Sequence, residues 1–259
     1  ADVVDDRRAA DGDEDALHVQ LADEARRIPD GPGLPYLRQE AIIDLANASG
    51  ADAVHPGYGF LAENGDFAEA VTDAGLIFIG PSAEAIRAMG DKVAARQIAT
   101  EAGVGPVPGT TAPVSSANSA IVAAAEIGYP IAVKASGGGG GRGFRVARSE
   151  DELPKAFEGS RGEAERYFAN PDVYLERYLE HPRHIEVQVF GDTHGTIVAI
   201  GERDCSIQRR HQKLVEEAPS PAVSPELRER LLDASEKLAG TVGYVGAGTI
   251  EYLLDDSGS

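Results

Sequence analysis

Lys134 ends a short apolar run, Pro130-Ile-Ala-Val-Lys134. Ala135 and Ser136 follow it, then the glycines Gly137 to Gly141, Arg142 and Gly143. A second alternating run, Phe144-Arg-Val-Ala147, comes next. The pattern reads as strand, glycine flap, strand. Glycines let backbone N–H groups close on an anion and tolerate positive φ, and Lys134 adds a point charge beside them. This is the composition of a phosphate-covering flap, most economically over ATP. No G-x-x-x-x-G-K-[ST] run is present, so the flap is not a P-loop. Gly138, Gly140 and Gly143 fit G-x-G-x-x-G by arithmetic, but no helix opens after them, as a dinucleotide fingerprint requires. A plain hairpin turn is the competing reading; it needs only about two to five residues and gains nothing from so many glycines.

Other residues could share that chemistry. Glu202-Arg-Asp-Cys205-Ser-Ile-Gln208-Arg209-Arg-His211-Gln-Lys213 gathers donors and cations in a chain of formal charge −19. A cationic patch on so acidic a background suggests an anionic ligand; the alternative is a surface strand paired with Glu216 and Glu217. Glu251 interrupts the apolar run from Thr249 to Leu254. A carboxylate there is costly unless paired or bound to metal, and beside a nucleotide Mg²⁺ is the natural partner. Cys205 is the sole cysteine; as a nucleophile it would need a base that the sequence does not specify. His55 and Glu63 lie in or beside the glycine-punctuated loop from His55 to Leu61, and contact with a ligand or a loop-structuring role both fit.

The elements that must position these groups read in order. Residues 1–33 are polar and acidic, a solvated connection with Leu17, Val19 and Leu21 as weak core candidates. Helical spacing runs from Leu37 to Ala48, then a short strand, Ala51 to Val54. A helix from Asp66 to Asp73 leads to the strand Leu76 to Ile79, and this alternation implies a parallel sheet. Pro81-Ser82 caps a helix through Met89, and Asp91 caps the next, Lys92 to Ala102. Lys92 then opposes the dipole in the first turn, which hints at an anion nearby; a freely solvated lysine is the alternative. Ser116 to Ile127 is an alanine-rich helix. Ser149-Glu-Asp-Glu152 is a capping-box pattern opening a helix toward Phe168. Val173 to Tyr178 alternates as a strand. In the strand His184 to Phe190, Ile185, Val187 and Val189 face one side and His184, Glu186 and Gln188 the other. Thr196 to Ile200 returns. Ser224-Pro225 caps an amphipathic helix, with Leu227, Leu231, Ala234 and Leu238 on its buried stripe, before a connection over Gly243–Gly248 and the strand carrying Glu251.

The acidic balance argues against nucleic acid or an anionic membrane as partner. The chain has five lysines, and acid excess with scarce lysine resembles salt-adapted proteins. One cysteine permits no internal disulfide and fits a reducing, cytoplasmic compartment. There is no signal peptide or membrane-length apolar run.

Taken in order, His55-Pro-Gly-Tyr-Gly-Phe-Leu61, Met89-Gly-Asp-Lys92, Lys134-Ala-Ser-Gly137 through Gly143, His184-Ile-Glu-Val-Gln188, Glu202 to Lys213 and Gly246-Ala-Gly-Thr-Ile-Glu251 resemble biotin carboxylase, of the ATP-grasp superfamily. The resemblance implies an α/β and α+β fold. Its expected parts are a partial open parallel-sheet N-terminal domain (1–80), a helical linker (81–105), a small ATP-grasp lid domain (106–178) and a truncated C-terminal ATP-grasp domain (179–259).

It also implies a reaction. ATP phosphorylates bicarbonate to carboxyphosphate, and the CO₂ released carboxylates biotin on a carrier protein or domain. Phosphoryl transfer needs positioning and charge neutralisation more than protein nucleophiles. By this resemblance Lys92 and Lys134 hold phosphates, under a flap of Gly139, Gly140 and Gly141. Glu176 and the backbone of Arg177 and Leu179 hold adenine. His184, Gln208 and His211 reach the ribose and phosphates. Lys213 faces bicarbonate, with Cys205 close by and Arg209 grouped with them as catalytic. Glu251 ligates Mg²⁺ or Mn²⁺. A carboxyltransferase subunit and a homodimeric assembly are the further partners implied. The family's second metal-binding glutamate and its downstream Asn/Arg/Gln/Glu cluster fall beyond Ser259, so the chain is expected to be truncated at both ends and poorly active alone. Another ATP-grasp carboxylate–amine ligase, or a nucleotide-binding fragment without turnover, are the alternative readings.

Overall fold

Alternating helices and short strands build the first part of the molecule, and longer antiparallel strands the second. The computed structural model describes residues 6–10, 12–90, 92–136, 143–168, 170–209 and 212–255, with backbone only for 6–9, 92, 93 and 168. The chain divides into two compact units, residues 1–87 and 88–259.

In the first unit β1 (Asp6–Ala9) pairs in parallel with β2 (Glu24–Arg27), with the short α1 (Leu17–Gln20) between them. This corrects the expected solvated connection. Four-residue polar strands carry no period-two signal, and Ile28, just beyond β2, is only 3% exposed. Leu17 and Leu21 are exposed, so they are not core residues. α2 (Gln39–Ser49) ends where Gly50 takes a left-handed φ of 72°, a conformation that glycine adopts without strain. β3 (Ala53–Val54) and β4 (Ile77–Phe78) pair in parallel, as the helix–strand alternation predicts. α3 (Gly65–Asp73) lies between them in sequence, capped by the Asn64 side chain and burying Phe67 and Val71 against Leu61 and Leu76. α4 (Ala83–Gly90) follows, with Ser82 Oγ accepting the Ala85 N–H.

The second unit holds two antiparallel sheets. After α5 (Lys92–Glu101) and α6 (Ala117–Ile127), β5 (Ile131–Ala135) pairs with β6 (Phe144–Ala147) on one side. On its other side it pairs with β7 (Val173–Arg177). The expected strand–flap–strand is thus a hairpin. α6 is held by a capping box of Ser116 with Ser119. At α7 (Leu153–Phe168) the expected box does not form: residues 150–152 are a 3₁₀ turn and Ser149 makes no cap bond. Glu152 accepts the Arg148 N–H instead, one residue before the expected site. β7 does not alternate either; residues 173–176 are all buried, because helices cover one face, Arg96 reaches Glu176 on the other and residues 108–114 bond along its edge.

β8 (Arg183–Gly191), β9 (Ile197–Arg209), β10 (Gln212–Glu217) and β11 (Gly246–Leu254) form a four-stranded sheet in the order β10-β9-β8-β11. α8 (Pro225–Thr241), capped by Ser224, packs on it. The return from the Gly191 turn runs on into the donor-rich block as one continuous strand, β9, and Gln212 and Lys213 of that block open β10. β11 starts at Gly246 rather than Thr249; its early residues are small because the Tyr244 ring lies against Gly248. Ile185, Val187 and Val189 are at most 2% exposed, each contributing about 2 kcal/mol of burial. Among the described residues no helix is long and apolar enough to cross a membrane.

Candidate functional site

Period-two geometry puts Ile185, Val187 and Val189 under α8 and turns His184, Glu186 and Gln188 to the opposite face. Register then decides their neighbours. Glu251 of β11 lies opposite Glu186, and Arg203 of β9 lies opposite it on the other side. Two carboxylates directly across a ladder repel each other. Lys213, reaching in from β10, resolves this: its Nζ donates to Glu186 Oε2 and, at 3.2 Å, to Glu251 Oε1. Arg203 Nε donates to Glu186 Oε1 at 2.6 Å and its Nη2 to Gln188 Oε1 at 3.1 Å. His184 Nε2 stands 3.6 Å from Glu251 Oε2, while its buried Nδ1 has no hydrogen-bond partner. An ammonium has three donors, so Lys213 keeps one beyond its two carboxylates.

The electrostatics follow. The His184 imidazole beside it, helped by Lys213, pulls the Glu251 carboxyl down to about 2. Burial pushes Glu186 upward, but hydrogen bonds from Lys213 and Arg203 overcome it and hold its carboxyl below the ordinary range. For Lys213 burial pulls down and Glu186 and Glu251 more than compensate, so it stays protonated. Cys205, fully buried beside them, is pushed up to about 12 by burial; its thiol is neutral and not a nucleophile at rest. Ligand atoms of Glu186, Cys205 and Glu216 lie within 4.8 Å of one another. They are a poor metal trio, because both Glu186 oxygens already hold a cation and the thiol is protonated.

Glu251 itself departs from expectation. It is not a buried carboxylate in an apolar run but is 55% exposed at its side chain. β11 is an edge strand whose odd-numbered residues lie on the open face. The alternative reading, a surface strand paired with Glu216 and Glu217, is not what the described residues show; Lys213 and Arg203 turn to β8 and β11 instead. The other acids of β9 face away: Glu202 takes both Nε and Nη2 of Arg228 on α8, and Asp204 takes Ser206, Ser220 and Arg183. They fasten β9 to its surroundings and leave Arg203 on the open face.

A second cluster lies on the three-stranded sheet. Lys134 of β5 and Glu176 of β7 are diagonal neighbours across the ladder, and Lys134 Nζ donates to Glu176 Oε2. Arg96 of α5 donates to Glu176 Oε1 at 2.8 Å. Lys134 also stands 6.0 Å from the Phe144 ring centroid. Past the flap, Glu163 of α7 accepts the Gly143 N–H at 2.9 Å and pairs with Arg145.

The remaining expected residues fall as follows. The Arg177 N–H is given to Pro108 O and its guanidinium to Ile127 O. Leu179 is on the loop that follows β7. Gln208 donates to the Cys205 carbonyl. Arg209 is exposed near the end of β9, with no ion pair to another described residue. Lys92 opens α5, its side chain outside the described residues; Asp91, Gly139, Gly140, Gly141 and His211 also lie outside them. His55 Nδ1 accepts the Gly57 N–H, a loop-structuring bond. Sequence reasoning missed Arg96, Arg203 and Glu163. Arg203 had a signal, standing inside the donor-rich block from Glu202 to Lys213; Arg96 and Glu163 sit on helices distant in sequence from what they hold.

Two family models match the chain: "Biotin carboxylase, N-terminal domain" over residues 7–86 and "Carbamoyl-phosphate synthase L chain, ATP binding domain" over residues 91–259. The chain is 51% identical over 247 residues to Biotin carboxylase 1 of Bacillus subtilis, which covers 95% of this chain and 55% of that protein. It is 49% identical over 244 residues to pyruvate carboxylase of Staphylococcus aureus, covering 93% of the chain and 21% of the relative. Among solved structures, the biotin carboxylase–β,γ-ATP complex from Campylobacter jejuni matches with a TM-score of 0.93 at 44% identity, over 98% of this chain and 57% of that one. The biotin carboxylase domain dimer of Hydrogenobacter thermophilus 2-oxoglutarate carboxylase, in complex with MgADP, ADP and bicarbonate, matches with a TM-score of 0.92 at 46% identity, over 98% and 56%. The chain thus spans about half the length of the biotin carboxylases it matches.

Proposed function

Since the chain belongs to the biotin carboxylase family, we propose that the whole protein carboxylates biotin on a carrier protein or domain, using ATP and bicarbonate. The observation that carries this reading is the Lys213 ammonium, held between two opposed carboxylates on an open sheet face with one donor to spare. Such a group suits a small oxyanion. Bicarbonate and MgADP in the Hydrogenobacter thermophilus complex support the same assignment.

In this reading each residue has a physical task. Lys134 and Lys92 neutralise phosphate charge, and residues 139–141 give backbone N–H groups to it. Glu176, Arg177 and Leu179 flank the adenine; His184, Gln208 and His211 border the ribose and phosphates. Lys213 orients bicarbonate, Cys205 fills space beneath it as a neutral thiol, and Arg209 stands at the rim. Glu251 is an exposed hard oxygen donor, ionised to about pH 2, and fits Mg²⁺, which commonly takes one or two carboxylates together with substrate phosphates. When bound, Mg²⁺ would supply charge neutralisation on the phosphates. With Mg²⁺ held by Glu251, Lys213 would keep Glu186 as its partner and could turn its remaining donors to the substrate.

The domain assignment is part of the proposal: an N-terminal α/β domain (1–80), a linker (81–105), a lid (106–178) and a C-terminal ATP-grasp domain (179–259). Four separate sheets support it: two short parallel pairs within 1–80, a three-stranded sheet within 106–178 and a four-stranded sheet within 179–259. A homodimer and a carboxyltransferase partner are proposed from the relatives. The test is calorimetric titration of MgATP into the chain, with biotin-dependent phosphate release measured on the whole protein. Binding that weakens in Lys134→Met, and turnover that Lys213→Met abolishes without weakening ATP binding, are expected. No MgATP binding to the unsubstituted chain would overturn the reading.

A further inference from the structure

Arg96 lies one helical turn into α5, yet it is only 8% exposed. Its guanidinium forks. Nη1 donates to Glu176 Oε1 at 2.8 Å and Nη2 to the Val107 carbonyl at 2.5 Å, while its buried Nε has no partner. The two Nη contacts therefore fix the side chain. Gly109 leaves room for them: a Cβ there would meet Arg96 Nη2 at 2.8 Å and crowd the Leu175 carbonyl. Gly109 also bridges Glu176 through the backbone. Glu176 is thus held by main chain on one side and by Arg96 on the other, and its remaining oxygen takes Lys134.

Charge makes this more than packing. Arg96, Lys134 and Glu176 sum to one surplus positive charge in a chain of −19. A buried ion triad is weak evidence for stability, because desolvation offsets the attraction. A triad with a cation in excess costs more still, unless an anion arrives to use it. We infer that Arg96 is a positioning residue for Lys134, acting through Glu176: it occupies one carboxylate oxygen so that the other alone orients the ammonium, whose charge stays available to phosphate. Without Arg96 both carboxylate oxygens can turn to Lys134 and neutralise it.

The inference rests on the nucleotide reading above, and the test separates the two. MgATP affinity is measured by calorimetry for the chain and for Arg96→Met, Lys134→Met and the double variant, with circular dichroism as a check of folding. Arg96→Met should weaken binding by about tenfold, the size of a charge-assisted hydrogen bond, and Arg96→Lys should recover part of the loss. In the Lys134→Met background the same substitution should have little further effect, because it acts through the lysine. A purely structural arginine gives additive losses instead. Binding unchanged in Arg96→Met, or an undiminished loss in the Lys134→Met background, overturns the inference. Should Arg96→Met fail to fold, Arg96→Lys alone and with Lys134→Met carries the same cycle. No binding by the unsubstituted chain overturns the nucleotide reading itself.

Discussion

On β8 the carboxylate of Glu186 takes an arginine, Arg203, on one oxygen and a lysine, Lys213, on the other. On β7 Glu176 takes Arg96 and Lys134 in the same way. The two sheets differ in what is left over. Glu251 joins the first group, so the two acids that share its hydrogen bonds match its two bases, and Glu216 stands as a further acid within 4.8 Å of Glu186. No second acid joins the β7 group among the described residues, so a positive charge remains. An arriving phosphate can meet the β7 group with little rearrangement. At the larger sheet Lys213 meets an arriving anion with its one spare donor, and with a second once its contact with Glu251 is exchanged. One site is poised by surplus charge; the other is held by a contact that can be exchanged.

Removing the central acid from each group tests this most severely. Glu176→Ala leaves Arg96 buried with only the Val107 carbonyl, an uncompensated charge that costs about 3–5 kcal/mol. Glu186→Ala leaves Lys213 still paired with Glu251 and Arg203 still bonded to Gln188. Its expected cost is smaller, about 2 kcal/mol. Urea unfolding of both variants measures the difference. The reverse order would break the contrast between a balanced group and a surplus one.

Glu251→Gln is the next largest. It should weaken the Mg²⁺-dependent part of ATP binding by about tenfold and leave metal-free ATP affinity unchanged; equal losses with and without metal would remove Glu251 as the ligand. Its effect on stability is pH-dependent. The Glu251 carboxyl falls from 4.5 to about 2 on folding. A depressed carboxyl contributes stability that is complete above the unfolded value and lost as pH drops through the folded one. The gap in unfolding midpoint between the chain and Glu251→Gln should therefore be constant above about pH 5 and close between pH 4.5 and 2. The side chain is more than half exposed, so the gap is small and shrinks further in salt.

How much of this was readable in advance follows the range of the interactions. The hairpin of β5 and β6, the faces of β8 and the cap of α8 depend on neighbours in sequence and were legible from it. The parallel pair of β1 and β2 was not, because short polar strands have no alternation to read. Lys134, Glu176, Lys213 and Glu251 stood out as types or by family resemblance. Their partners did not: Arg96 reaches Glu176 across 80 positions, and register, not local pattern, brings Glu251 beside Glu186. The exposure of Glu251 could not be judged from an apolar run, since that requires knowing that β11 is an edge.

The smallest effect concerns Cys205, which lies beside the balanced group. Burial moves its thiol from 9.0 to about 12. Nearby Glu186 adds to the rise and Lys213 opposes it. A raised thiol contributes stability that is complete below the unfolded value and lost as pH climbs toward the folded one, so conformational stability should decline between about pH 9 and 12. At neutral pH the thiol should react with an aromatic disulfide reagent only through opening of the fold, and the rate should fall as stability rises. If a ligand draws Lys213 away, the thiol loses a cation that opposes the rise. Bicarbonate with MgADP, by binding the folded chain, should make opening rarer and slow labelling further. Labelling that is fast in the folded chain, with an inflection below pH 9, would mean that Cys205 is open to solvent and ionised, and that the hydrogen-bonded group around Glu186 does not cover it.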